Sequence, residues 1–169
     1  GWFTALFPVH LSLVGVNDPG EALMAVKEQL RQIPNQGIGY GLLRYLSQNQ
    51  ELQSSLAARP QPEISFNYLG QMDRGLAENS PFAPAPEASG AERSPQARRT
   101  HLLEIDGGVM NGQLVFTWTY SHTCHHRETI AQVAQDFIAA LQVLIDHCQS
   151  PEAGGLTASD VAEFGWGQE

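Results

Sequence analysis

The sequence predicts an α/β fold, a layered sandwich in which helices pack against a mixed β-sheet. Three observations support this prediction. Apolar residues recur at helical spacing near both ends of the chain, an isolated strand pattern lies between them, and a hairpin pattern follows that strand. With 169 residues, of which 42% are hydrophobic, the chain is long enough to form one globular unit with a core.

The first predicted elements are a strand and a helix. Residues 3–13 mix apolar and polar positions around Pro8, which is typical of a strand interrupted at an edge or a bend. Asp18 and Pro19 form a helix start, because aspartate caps free backbone N–H groups and proline suits the first helical position. The helix is predicted to be amphipathic and to end before Pro34; its apolar positions are Leu23, Val26, Leu30 and Ile33.

A glycine-rich stretch, PNQGIGYG from Pro34 to Gly41, follows this helix. Glycine permits positive φ values and a close approach of another chain segment. The stretch has neither a P-loop lysine nor a clear preceding strand, so it is not interpreted as a phosphate site. A helical pattern resumes at residues 42–46, and the polar residues 48–59 are compatible with another helix.

Three strand patterns predict the sheet. Alternation over Ile64 to Leu69 puts Phe66 and Tyr68 on one face and Asn67 on the other. After a long predicted loop over residues 77–100, two more strand patterns, 101–109 and 113–121, are joined around Asn111 and Gly112, a strong hairpin signal. The last pattern has an apolar face and a hydroxylated face, formed respectively by Phe116, Trp118 and Tyr120 and by Thr117, Thr119 and Ser121.

The final predicted element is a long helix packed against that sheet, with apolar positions between Ile130 and Cys148. After Pro151 the composition loosens, and residues 151–169 are predicted to be a linker or tail behind a structural unit of residues 1–150.

Charge and composition exclude several classes of partner. Nine Lys and Arg against eighteen Asp and Glu give a formal charge of −9, which disfavours binding to nucleic acid or to anionic membranes. No apolar run is long enough to span a bilayer, and the first residues lack a basic leader and a cleavage site. Two cysteines without a paired framework are compatible with a reducing compartment, so a cytoplasmic location is predicted.

Three motifs carry a family resemblance: GWFT at residues 1–4, PNQGIGYG, and ISFNYLGQMD at residues 64–73. In this order and spacing they resemble the late motifs of nonribosomal peptide synthetase epimerization domains, which are members of the condensation-domain superfamily. Ordinary condensation domains carry a GxFVN-like string in place of GWFT. Met72 departs from the family, which usually has Phe there.

The resemblance extends over residues 1 to about 150 and implies the C-terminal lobe of a chloramphenicol-acetyltransferase-like fold, in which two lobes enclose a tunnel. The family's HHxxxDG and EGHGRE-like motifs do not occur in the sequence, and His125 and His126 are followed by RETI. The expected partners are therefore the N-terminal lobe of the same domain and a peptidyl carrier protein, whose phosphopantetheine arm holds the substrate. No cofactor is expected to bind directly. Exposed lobe-interface surface is expected to favour self-association.

The implied reaction inverts the α-carbon of an aminoacyl or peptidyl thioester by proton abstraction and return, an isomerase activity. The family's proton-transfer His and Glu belong to the other lobe, so this chain alone is expected to be inactive. Asn67 and Tyr68 match the family's FNYLGQ positions and are the candidate supporting catalytic residues. One of them is expected to orient the Glu or His, or to donate to the enolate oxygen. Because consecutive strand residues point to opposite faces, only one can face the tunnel unless a bulge intervenes, and the other supports packing. We favour Tyr68 as the donor or acid and Asn67 as the orienting residue. The alternative is a half-buried core tyrosine.

Four further residues are candidates for substrate binding, because they lie in the other two motifs and are expected to shape the lobe interface or the tunnel of the arm. They are Trp2, Thr4, Gly39 and Tyr40. The alternative interpretation is that the aromatic rings pack in the interior and that the glycines permit a tight crossing.

Two polar groups have competing interpretations. Alternation would aim His122, Cys124 and His126 at one metal ion, but a fourth ligand is missing and a polar strand-to-helix connection is preferred. Three loop arginines either meet carrier-protein acids or the phosphate of the arm, or are solvated charges; they are Arg93, Arg98 and Arg99.

Two other functions remain open. One is a noncatalytic, condensation-like module that positions carrier proteins, and the other is part of an amide-forming condensation domain. The strings GWFT and FNYLGQ favour the epimerization branch over amide formation.

Overall fold

In a computed structural model of the chain, the residues described are 4–71, 87, 90, 94, 96–151, 153–155, 157 and 159–160. They divide into two compact units: Gly1–Pro60 with Phe137–Glu169, and Gln61–Asp136. The helices and strands, in chain order, are α1 (Pro19–Arg31), α2 (Ile38–Leu46), α3 (Gln50–Ala57), β1 (Ile64–Gln71), β2 (Leu103–Met110), β3 (Gln113–Tyr120) and α4 (Arg127–Gln149). A short 3₁₀ helix, Pro34–Gly37, precedes α2.

The second unit contains a three-stranded mixed sheet in the order β1-β2-β3, which confirms the predicted α/β class. Strand β1 is parallel to β2, and β2 is antiparallel to β3. The β2–β3 turn has positive φ at Asn111 (50°) and Gly112 (70°), as a two-residue type I′ turn requires. The predicted hairpin is therefore confirmed.

One face of this sheet, the apolar face, carries the core of the second unit. Leu103 and Ile105 of β2 are buried together with Ile130 from the first turn of α4, and three aromatic side chains of β3 pack against them: Phe116, Trp118 and Tyr120. Gly107 continues the same row of β2, where a Cβ atom would overlap the ring of Phe116. The predicted packing of the last helix on the sheet is confirmed at Ile130.

In the first unit, α1 begins as predicted. The side chain of Asp18 accepts a hydrogen bond from the backbone N–H of Glu21 at 3.0 Å, and Pro19 occupies the first helical position. Gly20 is buried against His147 in the last turn of α4, where a side chain at position 20 would collide with the imidazole ring. The absence of a side chain at Gly20 therefore allows the start of α1 to approach the end of α4.

The glycine-rich stretch contains one tight crossing. Gly37 has φ 77°, and a Cβ atom there would overlap the ring of Phe7. Gly39 and Gly41 instead lie inside α2, with open space where their side chains would be. Helix α2 begins at Ile38, before the predicted helical pattern, and Gly37 in the left-handed conformation is its N-cap.

The strand predicted for residues 3–13 is wrong over the described part, residues 4–13, which form no strand. The backbone N–H of Ser12 donates to Oε1 of Gln29 at 2.8 Å, and Nε2 of Gln29 donates to the carbonyl of Ser12 at 3.0 Å. A side chain of α1 thus takes the place of a neighbouring strand at this position.

The predicted loop at residues 77–100 lies largely outside the described residues. Within the described ranges, no helix is both long and apolar enough to cross a membrane.

Candidate functional site

Asn67 and Tyr68 lie in the middle of β1 and point to opposite faces of the sheet, because the pairing with β2 is regular up to Tyr68 and shifts only beyond it. Asn67 is in register with Asp106, and Tyr68 is in register with Gly107. The second face, the polar face, therefore carries Asn67, whereas Tyr68 extends the row of the apolar face. Each face of the sheet thus carries one of the two candidates, as the alternation predicts.

The Asn67 amide has a partner that sequence reasoning missed. Its Nδ2 donates to Oδ1 of Asp106 at 3.4 Å, and both residues are exposed. A weak signal for Asp106 was present, because an acidic residue at every second position of β2, Glu104 and Asp106, marks one face of that strand as polar. The partner on β1 is not visible in the sequence, because it depends on the register between two strands that are 39 positions apart.

Tyr68 lies beside the aromatic end of the apolar face. Its register partner Gly107 leaves room for the ring of Phe116, which lies 6.0 Å from the ring of Phe66. The Tyr68 side chain is 52% exposed and is not one of the buried residues of the core cluster. Tyr68 is therefore about half exposed and is not a core tyrosine of the second unit.

One of the three loop arginines, Arg99, binds within the second unit. Its Nη2 atom lies 3.1 Å from Oε2 of Glu104 and donates to the carbonyl of Thr119 at 3.0 Å. Nδ1 of His101 lies 3.9 Å from Oε1 of Glu104. Glu104 thus has an adjacent cation on the polar face. Arg98 is exposed, and Arg93 lies outside the described residues.

The substrate-binding candidates of the first unit are only partly in view. Trp2 lies outside the described residues, and Thr4 is exposed. Gly39 and Tyr40 lie in the first turn of α2, where the Tyr40 hydroxyl accepts a hydrogen bond from Nη1 of Arg44 at 3.1 Å. This hydrogen bond raises the pKa of Arg44 above its ordinary value.

The Arg44 guanidinium also lies 5.3 Å from the centre of the Tyr45 ring, in a cation–π arrangement. A shallow pocket between α2 and α3 is lined by Arg44, Tyr45, Gln53, Ser54 and Ala57. These candidates belong to the first unit, whereas Asn67 and Tyr68 belong to the second.

The histidine and cysteine residues near position 124 form the connection from β3 to α4. The backbone N–H groups of Cys124 and His125 both donate to the carbonyl of Ser121 at 3.0 Å, which makes a tight turn. The Cys124 thiol is free and exposed. Across the described ranges, no three His, Cys, Asp or Glu side chains are placed to hold a metal ion.

A cluster around Asp160, the Asp160 cluster, was also missed by sequence reasoning. The Asp160 carboxylate contacts Nζ of Lys27 at 2.5 Å and Nη1 of Arg31 at 2.6 Å. It also accepts hydrogen bonds from the backbone N–H and the hydroxyl of Thr157, at 2.9 and 3.0 Å. Ser159 completes the cluster by donating to Oε1 of Glu28.

This environment changes the acidity of both carboxyl groups in the Asp160 cluster. The hydrogen bond from Lys27, followed by those from the Thr157 backbone and Arg31, holds the pKa of Asp160 far below its usual range. The hydrogen bond from Ser159 lowers the pKa of Glu28. Thr157 is only 8% exposed, so the segment after α4 is packed at this point.

The mixed sheet, the packing of α4 on its apolar face and the FNYLGQ string on β1 together define a class of protein, an α/β segment of the condensation-domain superfamily. Residues 1–163 match the family described as the condensation domain. The chain therefore belongs to the condensation domain family, and the predicted superfamily is confirmed.

Two similar proteins are components of the linear gramicidin synthase of Brevibacillus parabrevis. One of them is 51% identical over 95% of this chain and 2% of its own length, and the other is 46% identical over 95% of this chain and 3% of its own length. Chondramide synthase cmdD from Chondromyces crocatus is 45% identical over 90% of this chain and 4% of its length. The chain thus spans a small part of the relatives it matches.

A solved structure with the same fold is the epimerization domain from the third module of tyrocidine synthetase B. It is 38% identical, superposes with a TM-score of 0.71, and shares 88% of this chain and 32% of its own chain. The structure thus corresponds to a portion of a condensation-superfamily domain, in agreement with the predicted fold.

Proposed function

We propose that this chain forms part of an epimerization domain that inverts the α-carbon, from L to D, of an aminoacyl or peptidyl thioester on a carrier protein. The observation that carries the proposal is the FNYLGQ string on β1, which places Asn67 and Tyr68 side by side on a strand of this fold. The 38% identity to a tyrocidine synthetase epimerization domain supports the same choice.

The chemistry needs groups that this chain supplies only in part. A thioester acidifies the α-proton, so that a base can remove it, an acid can return it to the other face, and hydrogen-bond donors can stabilise the enolate oxygen. Asn67 and Tyr68 leave opposite faces of the strand, so only one of them can face the substrate, either the Tyr68 phenol or the Asn67 amide, and the other supports packing. The principal base and acid come from residues outside this chain, which alone is inactive under this proposal.

Partners follow from the same proposal. The substrate arrives on the phosphopantetheine arm of a peptidyl carrier protein, and the remainder of the domain packs against this chain. Large apolar side chains exposed on α2 support such packing, and would favour self-association of the chain alone: Ile38, Leu42, Leu43, Tyr45 and Leu46. The two free cysteines fit a cytoplasmic location.

The test uses the full-length protein that carries this chain, with its carrier protein loaded with an L-aminoacyl group. This aminoacyl group carries deuterium at its α-carbon. The loss of the deuterium and the formation of the D-isomer are measured together. Epimerization by the parent protein is expected, and Tyr68→Phe is expected to slow it by about 10²-fold if the phenol transfers a proton. A Tyr68→Phe protein that works at the parent rate would remove the phenol from the mechanism. A parent protein that leaves the label in place would refute the proposed activity.

Two other functions are alternatives. The first is a noncatalytic module that positions carrier proteins, and it is favoured if the full-length protein carries degenerate instead of intact HHxxxDG and EGHGRE-like strings. The family match itself is to a condensation domain, so amide formation is the other candidate. An assay with two loaded carriers separates them, because only a condensation catalyst joins the two acyl groups.

A further inference from the structure

We infer that Asp106 is a positioning residue for Asn67, and that the amide it orients presents its carbonyl oxygen to an N–H group of the carrier-bound substrate. The inference rests on the proposed function and adds to it a role for Asn67 as a hydrogen-bond acceptor in substrate binding. This role differs from donation to the enolate oxygen, and it leaves Tyr68, on the opposite face of the sheet, with a packing role.

The sheet brings the two side chains together. Asn67 on β1 and Asp106 on β2 are register partners, so their side chains leave the same face of the sheet. On that face Nδ2 of Asn67 donates to Oδ1 of Asp106 at 3.4 Å. Neighbouring side chains on adjacent strands are close enough for one to set the rotamer of the other.

The chemistry of the carboxylate decides which end of the amide points outward. An aspartate carboxylate only accepts hydrogen bonds, so the amide must turn its NH₂ group toward Asp106. Its carbonyl oxygen Oδ1 then points away from Asp106. Asn67 therefore has its acceptor atom directed away from Asp106 before a ligand binds.

The charges on the polar face favour the same role. Glu104 lies on the same face of β2 and has Arg99 beside it at 3.1 Å. Asp106, in contrast to Glu104, forms no salt bridge with a cation among the described residues. A negative charge beside Asn67 opposes the build-up of a second negative charge on an enolate oxygen, but it attracts a polar N–H group.

Two sources of N–H fit this chemistry: the α-nitrogen of the substrate and the amides of the phosphopantetheine arm. Both are N–H donors within the same loaded carrier. They differ in that an unloaded carrier has the arm amides and no substrate nitrogen.

The experiment compares Asn67→Ala, Asp106→Ala and Asp106→Asn in the full-length protein, with Thr117→Val as the matched control. Thr117 is the register partner of Asp106 on β3, and valine keeps its branched shape. The measurements are KM and kcat for epimerization, and the affinity for a carrier whose aminoacyl group is attached through an unreactive amide. Unloaded carrier is measured in parallel.

We expect Asn67→Ala and Asp106→Ala each to raise KM and weaken carrier binding by about 3- to 10-fold, with kcat within about 2-fold of the parent. Adding Asp106→Ala to Asn67→Ala should cost little more, because Asp106 acts through Asn67. Asp106→Asn should weaken binding less than Asp106→Ala does, since the amide oxygen of the new side chain can still accept a hydrogen bond from Asn67. Equal losses with unloaded carrier would identify the arm amides as the N–H source, and losses confined to loaded carrier would identify the substrate nitrogen.

An Asp106→Ala protein that behaves like Thr117→Val would overturn the inference. So would a fall in kcat with unchanged KM, which would place Asn67 at the enolate oxygen, or fully additive losses in the double variant. If the parent protein does not epimerize, the proposed function fails, but the affinity for the amide-linked carrier still tests the pairing of Asp106 with Asn67.

Discussion

Asp160 accepts a hydrogen bond from Nη1 of Arg31 at 2.6 Å, although 129 positions separate the two residues. The contact ties the segment that follows α4 to the last turn of α1. Because Thr157 and Ser159 also bind within this cluster, several polar contacts of different kinds hold one short stretch of chain. Residues 157, 159 and 160 are therefore held at α1.

We expect Asp160→Asn to loosen this segment. The substitution removes the charge that pairs with Lys27 and Arg31 while keeping the size of the side chain. Hydrogen exchange of the backbone amides at positions 157 and 160 should become faster, and the midpoint of chemical denaturation should fall. Asp146→Asn is the control, because Asp146 is an exposed aspartate on α4. Equal exchange in the two variants would contradict the prediction.

The Asp160 cluster should also make stability depend on pH in the acid range. The pKa values of Asp160 and Glu28 are lowered in the folded chain, so the folded state binds fewer protons than the unfolded state. Their contribution to stability is therefore complete only above the ordinary carboxyl pKa values, from about pH 5 upward, and is lost progressively as the pH falls toward the lowered values.

Denaturation at pH 6 and at pH 3 checks this sign. The parent protein should lose more stability between the two pH values than Asp160→Asn, because the variant no longer carries the shifted carboxyl group. A variant that loses as much as the parent would show that the acid sensitivity arises elsewhere.

Gly107→Ala should destabilise the protein by about 1–3 kcal/mol, because the added methyl group would overlap the ring of Phe116 in a packed row of the sheet. Gly41→Ala is the matched control, since Gly41 lies in α2 with open space around its Cβ position. That change should raise stability by up to about 1 kcal/mol, through better helix propensity. Denaturant titration measures both, and the prediction fails if Gly107→Ala is neutral.

Arg99→Gln should lower stability by roughly 1 kcal/mol or less, because it removes a partly exposed ion pair to Glu104 together with a hydrogen bond to the carbonyl of Thr119. Arg98→Gln removes the same charge from an exposed position and should leave stability unchanged. Thermal unfolding of the two variants side by side separates a specific contact from a general charge effect. Indistinguishable curves would argue against a structural role for Arg99.

Local signals in the chain predicted most elements correctly. The cap at Asp18 and Pro19 marked the start of α1, and the Asn111–Gly112 pair marked the hairpin, because each signal acts through backbone geometry within a few residues. The strand predicted at residues 3–13 failed for the opposite reason. Strand formation needs a partner, and at Ser12 the side chain of Gln29 occupies that position.

In the candidate site, too, local signals predicted individual residues, whereas contacts between strands could not be predicted. The motif strings led to Asn67 and Tyr68 and to the condensation superfamily, and alternation correctly placed the two residues on opposite faces. Asp106 could not be paired with Asn67 beforehand, because strand patterns do not state which strand lies beside which or in what register.

The sequence by itself determined the helices, the hairpin, the class of fold and the family, since caps, turn residues, periodicity and motif strings are all local in the chain. Only the tertiary structure decided that Asp106 accepts from Asn67, that Asp160 binds Arg31, and that Gly107 lies under Phe116. The physical reason is that a hydrogen bond or a steric contact depends on distance in space. Residues tens of positions apart acquire that distance only when the strands pair and the helices pack.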